Sequence, residues 1–196
     1  MIAAIVLAAG LSRRMGAQNK LLMPWPAGGT VLTATLSQVL ASGATPVILV
    51  TGHERAEVER ASFNLPLTRI HAGDFAAGLS ASLRAGIAGV PEACTGALIC
   101  LGDMPFVPAA VLRAMLAAFS PDAGRSIIRP TFRGQPGNPI LWGRAHFAAL
   151  AAQTGDKGGR DILAASPDLH LLEVETAGIL DDLDTPAHFA GMSLRQ

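Results

Sequence analysis

Ile2-Ala3-Ala4-Ile5-Val6-Leu7 runs without a polar break into Ala8-Ala9-Gly10-Leu11-Ser12-Arg13-Arg14-Met15-Gly16, and Lys20 comes four residues later. The first six residues are short, apolar and partly β-branched, which predicts a strand buried on both faces of a parallel sheet. The next stretch is a loop of small residues with exposed amides, interleaved with three cations. It leaves the strand at its carboxyl end, where open α/β sheets bind ligands, and such a loop can hold phosphates. It is not a Walker A loop, because Ala17 stands after Gly16 where Lys-Ser/Thr is required, and no G-x-G-x-x-G dinucleotide pattern is present. The residues by themselves leave a solvated surface loop as the alternative.

Outward from this loop, helix and strand patterns alternate. Thr30 to Ser42 predicts a helix with Thr30 as N-cap and Gly43 as its stop, and Pro46 to Thr51 predicts the next strand. A polar helix over about 54–61, a weaker strand over 67–71 and a helix from Gly78 to Ala88 come next. Ala97 to Leu101 reads as another buried strand, and Pro108 to Phe119 as a helix with Val111, Leu112, Met115, Leu116 and Phe119 on one face. The alternation predicts right-handed crossovers and a mostly parallel sheet. From Ser126 the rhythm changes. Ser126 to Phe132 and Pro139 to Trp142, around the Gly/Pro loop from Arg133 to Pro139, predict an antiparallel hairpin insertion. Helices over 144–152 and 160–165, a strand from Leu169 to Glu175 and a short helix after Pro186 are expected to complete the chain.

The chain has 196 residues, half of them hydrophobic and only 15% charged, with a formal net charge of zero. One packed domain over 1–196 is expected, and nothing in the charge points to nucleic acid or an anionic membrane. The charge is unevenly placed, since the first acid is Glu54 while Arg13, Arg14 and Lys20 precede it. The opening apolar run carries its positive charges after it and not before, unlike a secretory signal, and no apolar stretch is long enough to span a bilayer. Cys94 and Cys100 form no CxxC pair and the five histidines show no metal-ligand spacing, so a reducing, cytoplasmic setting is expected.

Two acidic segments could hold magnesium, which takes one or two carboxylates and completes its shell with water and substrate phosphates. Leu101-Gly102-Asp103-Met104-Pro105 puts a carboxylate directly after a buried strand, on the side where the cationic loop should lie. The same aspartate could equally cap the next helix. Leu180-Asp181-Asp182-Leu183-Asp184-Thr185-Pro186 offers a second cluster, in which Asp184 is also a good helix N-cap.

The pattern L-A-A-G-x-S-x-R-M-G-x-x-x-K resembles the signature of the nucleotidyltransferases related to the molybdenum cofactor cytidylyl- and guanylyltransferases. Gly102-Asp103-Met104-Pro105 is similar to the family's Gly-Asp-x-Pro segment, Asp182 to Pro186 to its Asp-x-Asp-Thr-Pro segment, and Gly78-Leu79-Ser80-Ala81-Ser82-Leu83 to its Gly-x-x-x-Ser-Leu segment. The resemblance implies a Rossmann-like three-layer α/β/α fold of the glycosyltransferase-A, nucleotidyltransferase type. It implies nucleotide contacts from Leu7, Ala8, Ala9, Gly10, Ser12, Arg14, Lys20, Gly78, Ser80, Ser82 and Gly102, with Arg14, Lys20 and Asp103 in the catalytic roles and magnesium on Asp103 and Asp184. Gly134 to Pro139 and Gly155 to Arg160 match segments on the acceptor side, implying acceptor contacts from Gly137, Asn138, Asp156 and Arg160. Two departures stand out, because Asn138 occupies a position where His is usual and Ala72 one where Asn often appears.

By the same resemblance the substrates are a nucleoside triphosphate and the molybdopterin cofactor. Cytidylyltransferases tend to read Ala-Ala-Gly where guanylyltransferases read Ala-Gly-Gly, so Ala8-Ala9-Gly10 favours CTP. The alternatives are a guanylyltransferase or a sugar-phosphate nucleotidyltransferase of the same fold, or a maturation partner that hands the cofactor to a molybdenum hydroxylase. Transient contact with such a hydroxylase is implied in either case.

Overall fold

The computed structural model describes residues 1–11, 18–155 and 158–183. Eight strands form one mixed sheet: β1 (Ile2–Ala8), β2 (Val47–Thr51), β3 (Thr68–His71), β4 (Gly96–Leu101), β5 (Ile127–Phe132), β6 (Gln135–Pro136), β7 (Ile140–Gly143) and β8 (Leu169–Glu173). Their order is β3-β2-β1-β4-β7-β5-β6, with β8 paired to β5. β1 is parallel to both β2 and β4, as its unbroken apolar run predicts, and six of its seven residues are buried.

Side chains alternate across the strands, so the sheet presents two apolar faces. Ala4, Val6, Leu49, Leu98 and Cys100 pack against α1 (Val31–Leu40) and α4 (Ala109–Ala118), joined by Val58 of α2 (Arg55–Ala61). Ile5, Leu7, Ile48, Val50 and Ala97 face α3 (Leu79–Ala88), α5 (Phe147–Ala151) and α6 (Arg160–Ala165) through Leu83, Phe147, Leu150 and Leu163. This is the three-layer α/β/α architecture expected. Among the described residues no helix is long and apolar enough to cross a membrane.

Thr30 caps α1 as predicted: its hydroxyl accepts from the Thr33 amide, and the Thr33 hydroxyl accepts from the Thr30 amide at 2.8 Å. The helix stops at Leu40, short of the expected Ser42, because the Ser42 hydroxyl turns back to donate to the Val39 carbonyl at 2.6 Å and accepts from the Ala44 amide.

After Ser126 the sheet becomes mixed, with β6 and β7 antiparallel to β5 and β8 parallel to it, but this region is not an insertion hung on the sheet. β7 inserts between β4 and β5 and is antiparallel to both, while the tight hairpin joins β5 to β6 across Arg133-Gly134. Burial explains the difference. Ile127, Ile128, Leu141 and Trp142 are all at most 1% exposed, so these strands carry apolar residues on both faces and must lie between helices on each side. The helix expected after Pro186 lies outside the described residues.

The capping pair gives a direct test: Thr30→Ala should lower stability by about 1 kcal/mol, read as a smaller denaturation midpoint in urea with an unchanged slope.

Candidate nucleotide and metal site

A cleft of about 380 Å³ opens at the carboxyl ends of β1 and β4. Leu7, Ala9, Gly10 and Leu11 form one wall, Phe75 to Leu79 with Ser82 the other, and Lys20, Leu21, Leu101 and Asp103 close the end. Two sequence elements 83 positions apart meet here. Lys20 Nζ donates to Asp103 Oδ2 as an ion pair whose side chains are both mostly buried. β1 and β4 fix this meeting, because the Gly102 amide donates to the Leu7 carbonyl at 3.0 Å and so extends the ladder to the residue before Asp103. On the other side, Lys20 opens a 3₁₀ turn held by the Asn19 side chain, which accepts from the Leu21 amide.

The opposite wall rests on Gly52, a residue that no motif in the sequence singles out. A Cβ there would come within 2.7 Å of Ala9 Cβ and of Phe75 Cβ and Cγ. Only glycine therefore lets Phe75 close onto the loop after β1. Phe75 sits on a 3₁₀ turn, Phe75–Ala77, with its ring between those of His53 and His71 at centroid distances of 6.4 and 6.3 Å. An isolated glycine just past a strand hints at close approach, but its partner lies 23 positions further along and no periodicity links them.

Of the expected nucleotide-binding residues, Leu7, Ala9, Gly10, Lys20, Gly78 and Ser82 line the cleft. Ala8 points into the opposite layer beside Leu21 and Leu32, Gly102 lies behind the wall, and Ser80 is buried while its amide donates to the Gly155 carbonyl at 3.0 Å. Those three do not line the cleft. The reason is the two-residue alternation of β1 for Ala8 and the helical turn of α3 for Ser80. Ser12 and Arg14 lie outside the described residues, as do Asp156 and Asp184.

The acceptor-side residues stand apart from the cleft lining. Gly137 donates its amide to the Pro130 carbonyl and Asn138 donates its amide to the Ile179 carbonyl, both at 2.9 Å, while Arg160 opens α6 with an exposed side chain. The acidic segment near the end of the chain does reach the site, because the Leu183 amide donates to the Asp103 carbonyl at 3.2 Å. Leu183 is buried in a small cluster with Val31, Met23, Trp25 and Phe106, which anchors the residue preceding Asp184.

Among the described residues no group of three or more His, Cys, Asp or Glu side chains converges. A hard cation is commonly held by one or two carboxylates and by substrate phosphates. Asp103, only 7% exposed and at the cleft, is the carboxylate placed to hold such an ion. Cys100, three residues earlier, offers no nucleophile: burial pushes its thiol up to about 12, so it stays protonated.

Comparison with known proteins agrees with this geometry. A family model described as the MobA-like NTP transferase domain matches residues 4–171. The chain is 34% identical over 187 residues to the molybdenum cofactor cytidylyltransferase of Escherichia coli, covering 94% of this chain and 92% of that protein. It is 30% identical over 195 residues to the purine catabolism protein PucB of Bacillus subtilis, with the same coverage of each. Among solved structures, the Mycobacterium tuberculosis protein Rv0371c in complex with manganese superposes with a TM-score of 0.83 at 29% identity, over 100% of this chain and 99% of that one. The chain belongs to the MobA-like NTP transferase family, and it is a nucleotidyltransferase.

Gly52→Ala should force Phe75 and Ala9 apart and weaken nucleoside triphosphate binding about tenfold, measured by calorimetric titration.

Proposed function

We propose that this protein transfers CMP from CTP to the terminal phosphate of the molybdopterin cofactor, with magnesium and release of pyrophosphate, as one cytoplasmic domain spanning 1–196. The observation that carries it is the Lys20–Asp103 contact at the end of a cleft walled by Ala9 and Gly10 on one side and the Phe75–Gly78 turn on the other. Further support comes from the cytidylyltransferase relative at 34% identity and from a homologous structure holding manganese.

An oxygen of the acceptor phosphate attacks the α-phosphorus of CTP, a new P–O–P bridge forms, and the bond to the β-phosphate oxygen breaks as pyrophosphate leaves. Positioning and charge neutralisation supply most of the catalysis in such transfers. Lys20 neutralises the triphosphate and the charge that grows on the leaving pyrophosphate. Arg14, four positions beyond Gly10 in the sequence, has the same proposed role. Asp103 holds the magnesium ion, with Asp184 as the proposed second carboxylate. When bound, that ion supplies positive charge to the phosphate oxygens. The amide of Gly10 and the hydroxyl of Ser82 orient the nucleotide, and Phe75 with Ala9 bounds the space for the base. Gly137, Asn138, Asp156 and Arg160 are the proposed acceptor contacts.

Asp103→Asn should leave the fold intact by circular dichroism and reduce CTP-dependent pyrophosphate release about a hundredfold or more, and EDTA should abolish turnover until magnesium is restored. Undiminished turnover in the variant would remove Asp103 from the site.

Base selection has its own test. The Ala9 methyl is pinned by Gly52 and Phe75, so Ala9→Gly enlarges that wall and should raise the GTP to CTP turnover ratio about tenfold; a constant ratio would count against it.

A further inference from the structure

Two cations lie beyond the cleft that the nucleotide and metal site does not use. β7 is antiparallel to both β4 and β5, so β5 runs with β1 and β4 and its carboxyl end lies on the cleft side of the sheet. Pairing between β5 and β7 stops at Ile128 opposite Leu141, and Arg129 comes next. Pro130 and Pro139, which have no N–H to continue the ladder, stand just past that point. The β5–β7 ladder therefore ends at Arg129, while β5 stays paired with β8.

Arg129 shares its face of β5 with Ile127, so its half-buried side chain enters the layer of α3, α5 and α6. There its Nε donates to the Gly137 carbonyl at 3.2 Å, in the acceptor-side loop. Arg160 belongs to the same layer, directly after Gly159, where a Cβ would approach Leu150 and Trp142 to 2.9 and 3.1 Å. Burial, and after it the positive charge of Arg160, pull the Arg129 guanidinium below its usual pKa. The two arginines thus lie within reach of each other's charge.

Among the described residues neither arginine forms an ion pair. Glu173, on the neighbouring strand β8, is committed elsewhere, accepting from the Thr131 hydroxyl and the Arg133 amide at 2.6 Å each. Leu171, the partner of Arg129 in the β5–β8 ladder, is 54% exposed, so this end of the face is open to solvent. A half-buried guanidinium with a like charge near it is unfavourable until an anion joins it. Guanidinium forks match the oxygens of a phosphate.

We propose that Arg129, with Arg160, binds the phosphate monoester of the acceptor beside Gly137 and Asn138, as a specificity residue for the second substrate. This rests on the proposed nucleotidyl transfer in requiring a phosphorylated acceptor.

The test titrates inorganic phosphate into protein already saturated with magnesium and CTP, so that phosphate reports on the second anion site. Wild-type protein should bind one phosphate. Arg129→Gln and Arg160→Gln should each weaken that binding about tenfold or more, and Arg129→Lys less, with CTP affinity and Tm unchanged. Absent phosphate binding in the wild type, or equal affinity in Arg129→Gln, would overturn the proposal. A joint fall in CTP affinity and Tm would reduce Arg129 to a prop for the Gly137 carbonyl, and overturn it as well. If the phosphate response appears but wild-type protein releases no pyrophosphate with molybdopterin, the anion site stands and the acceptor assignment falls.

Discussion

The contact between Lys20 and Asp103 is the constraint around which the molecule is arranged. Each side chain is mostly buried, and a buried charge without its partner is costly, so each needs the other in place. The two come from segments 83 positions apart and meet because β1 and β4 are adjacent, parallel and in register through Leu7 opposite Leu101. The apolar core sets that register, since Ile5, Leu7 and Ala97 must face one helical layer while Val6, Leu98 and Cys100 face the other. Hydrophobic alternation along two strands thus fixes the position of a polar pair that neither strand contains.

A second brace comes from the other end of the described chain. Residues 177–183 cross the carboxyl side of the sheet and touch both halves of the site. The Ile179 carbonyl receives the Asn138 amide, and the Leu183 amide reaches the Asp103 carbonyl. The first contact is so close that a Cβ on Gly137 would come within 2.4 Å of the Ile179 oxygen. Backbone bonds therefore couple the acceptor-side loop to the Asp103 turn, and a change in either is felt by the other. That coupling gives a physical reason for an acidic segment to lie so late in the sequence and yet beside a strand from its middle.

The sheet is asymmetric. On the β1–β2–β3 side all pairing is parallel, and its loops line the cleft with small residues and one aromatic ring. On the other side β7 alone runs between β4 and β5 in the opposite direction, and Pro130 and Pro139 stand where the β5–β7 ladder ends, beside Arg129. Asn138 sits at the boundary, held by its backbone amide to Ile179. An imidazole is usual at that position in the resembled family. Here a guanidinium from β5, Arg129, reaches the same loop through the Gly137 carbonyl.

Much of this was legible in the chain of residues. Apolar runs marked β1, β2 and β4, Thr30 marked the start of α1, and the carboxyl ends of β1 and β4 marked the place for Lys20 and Asp103, because these signals are local and depend on spacing alone. The partners of β5 and β7 were not legible, since alternation states which face is apolar but not which strand lies alongside. Nor were Gly52 against Phe75, the turning of Ala8 and Ser80 away from the cleft, or the nearness of Arg129 to Gly137. Covalent geometry and hydrophobic period, both written in the sequence, determine what each segment prefers, whereas which distant side chains share a volume is decided only when the close-packed layers come together.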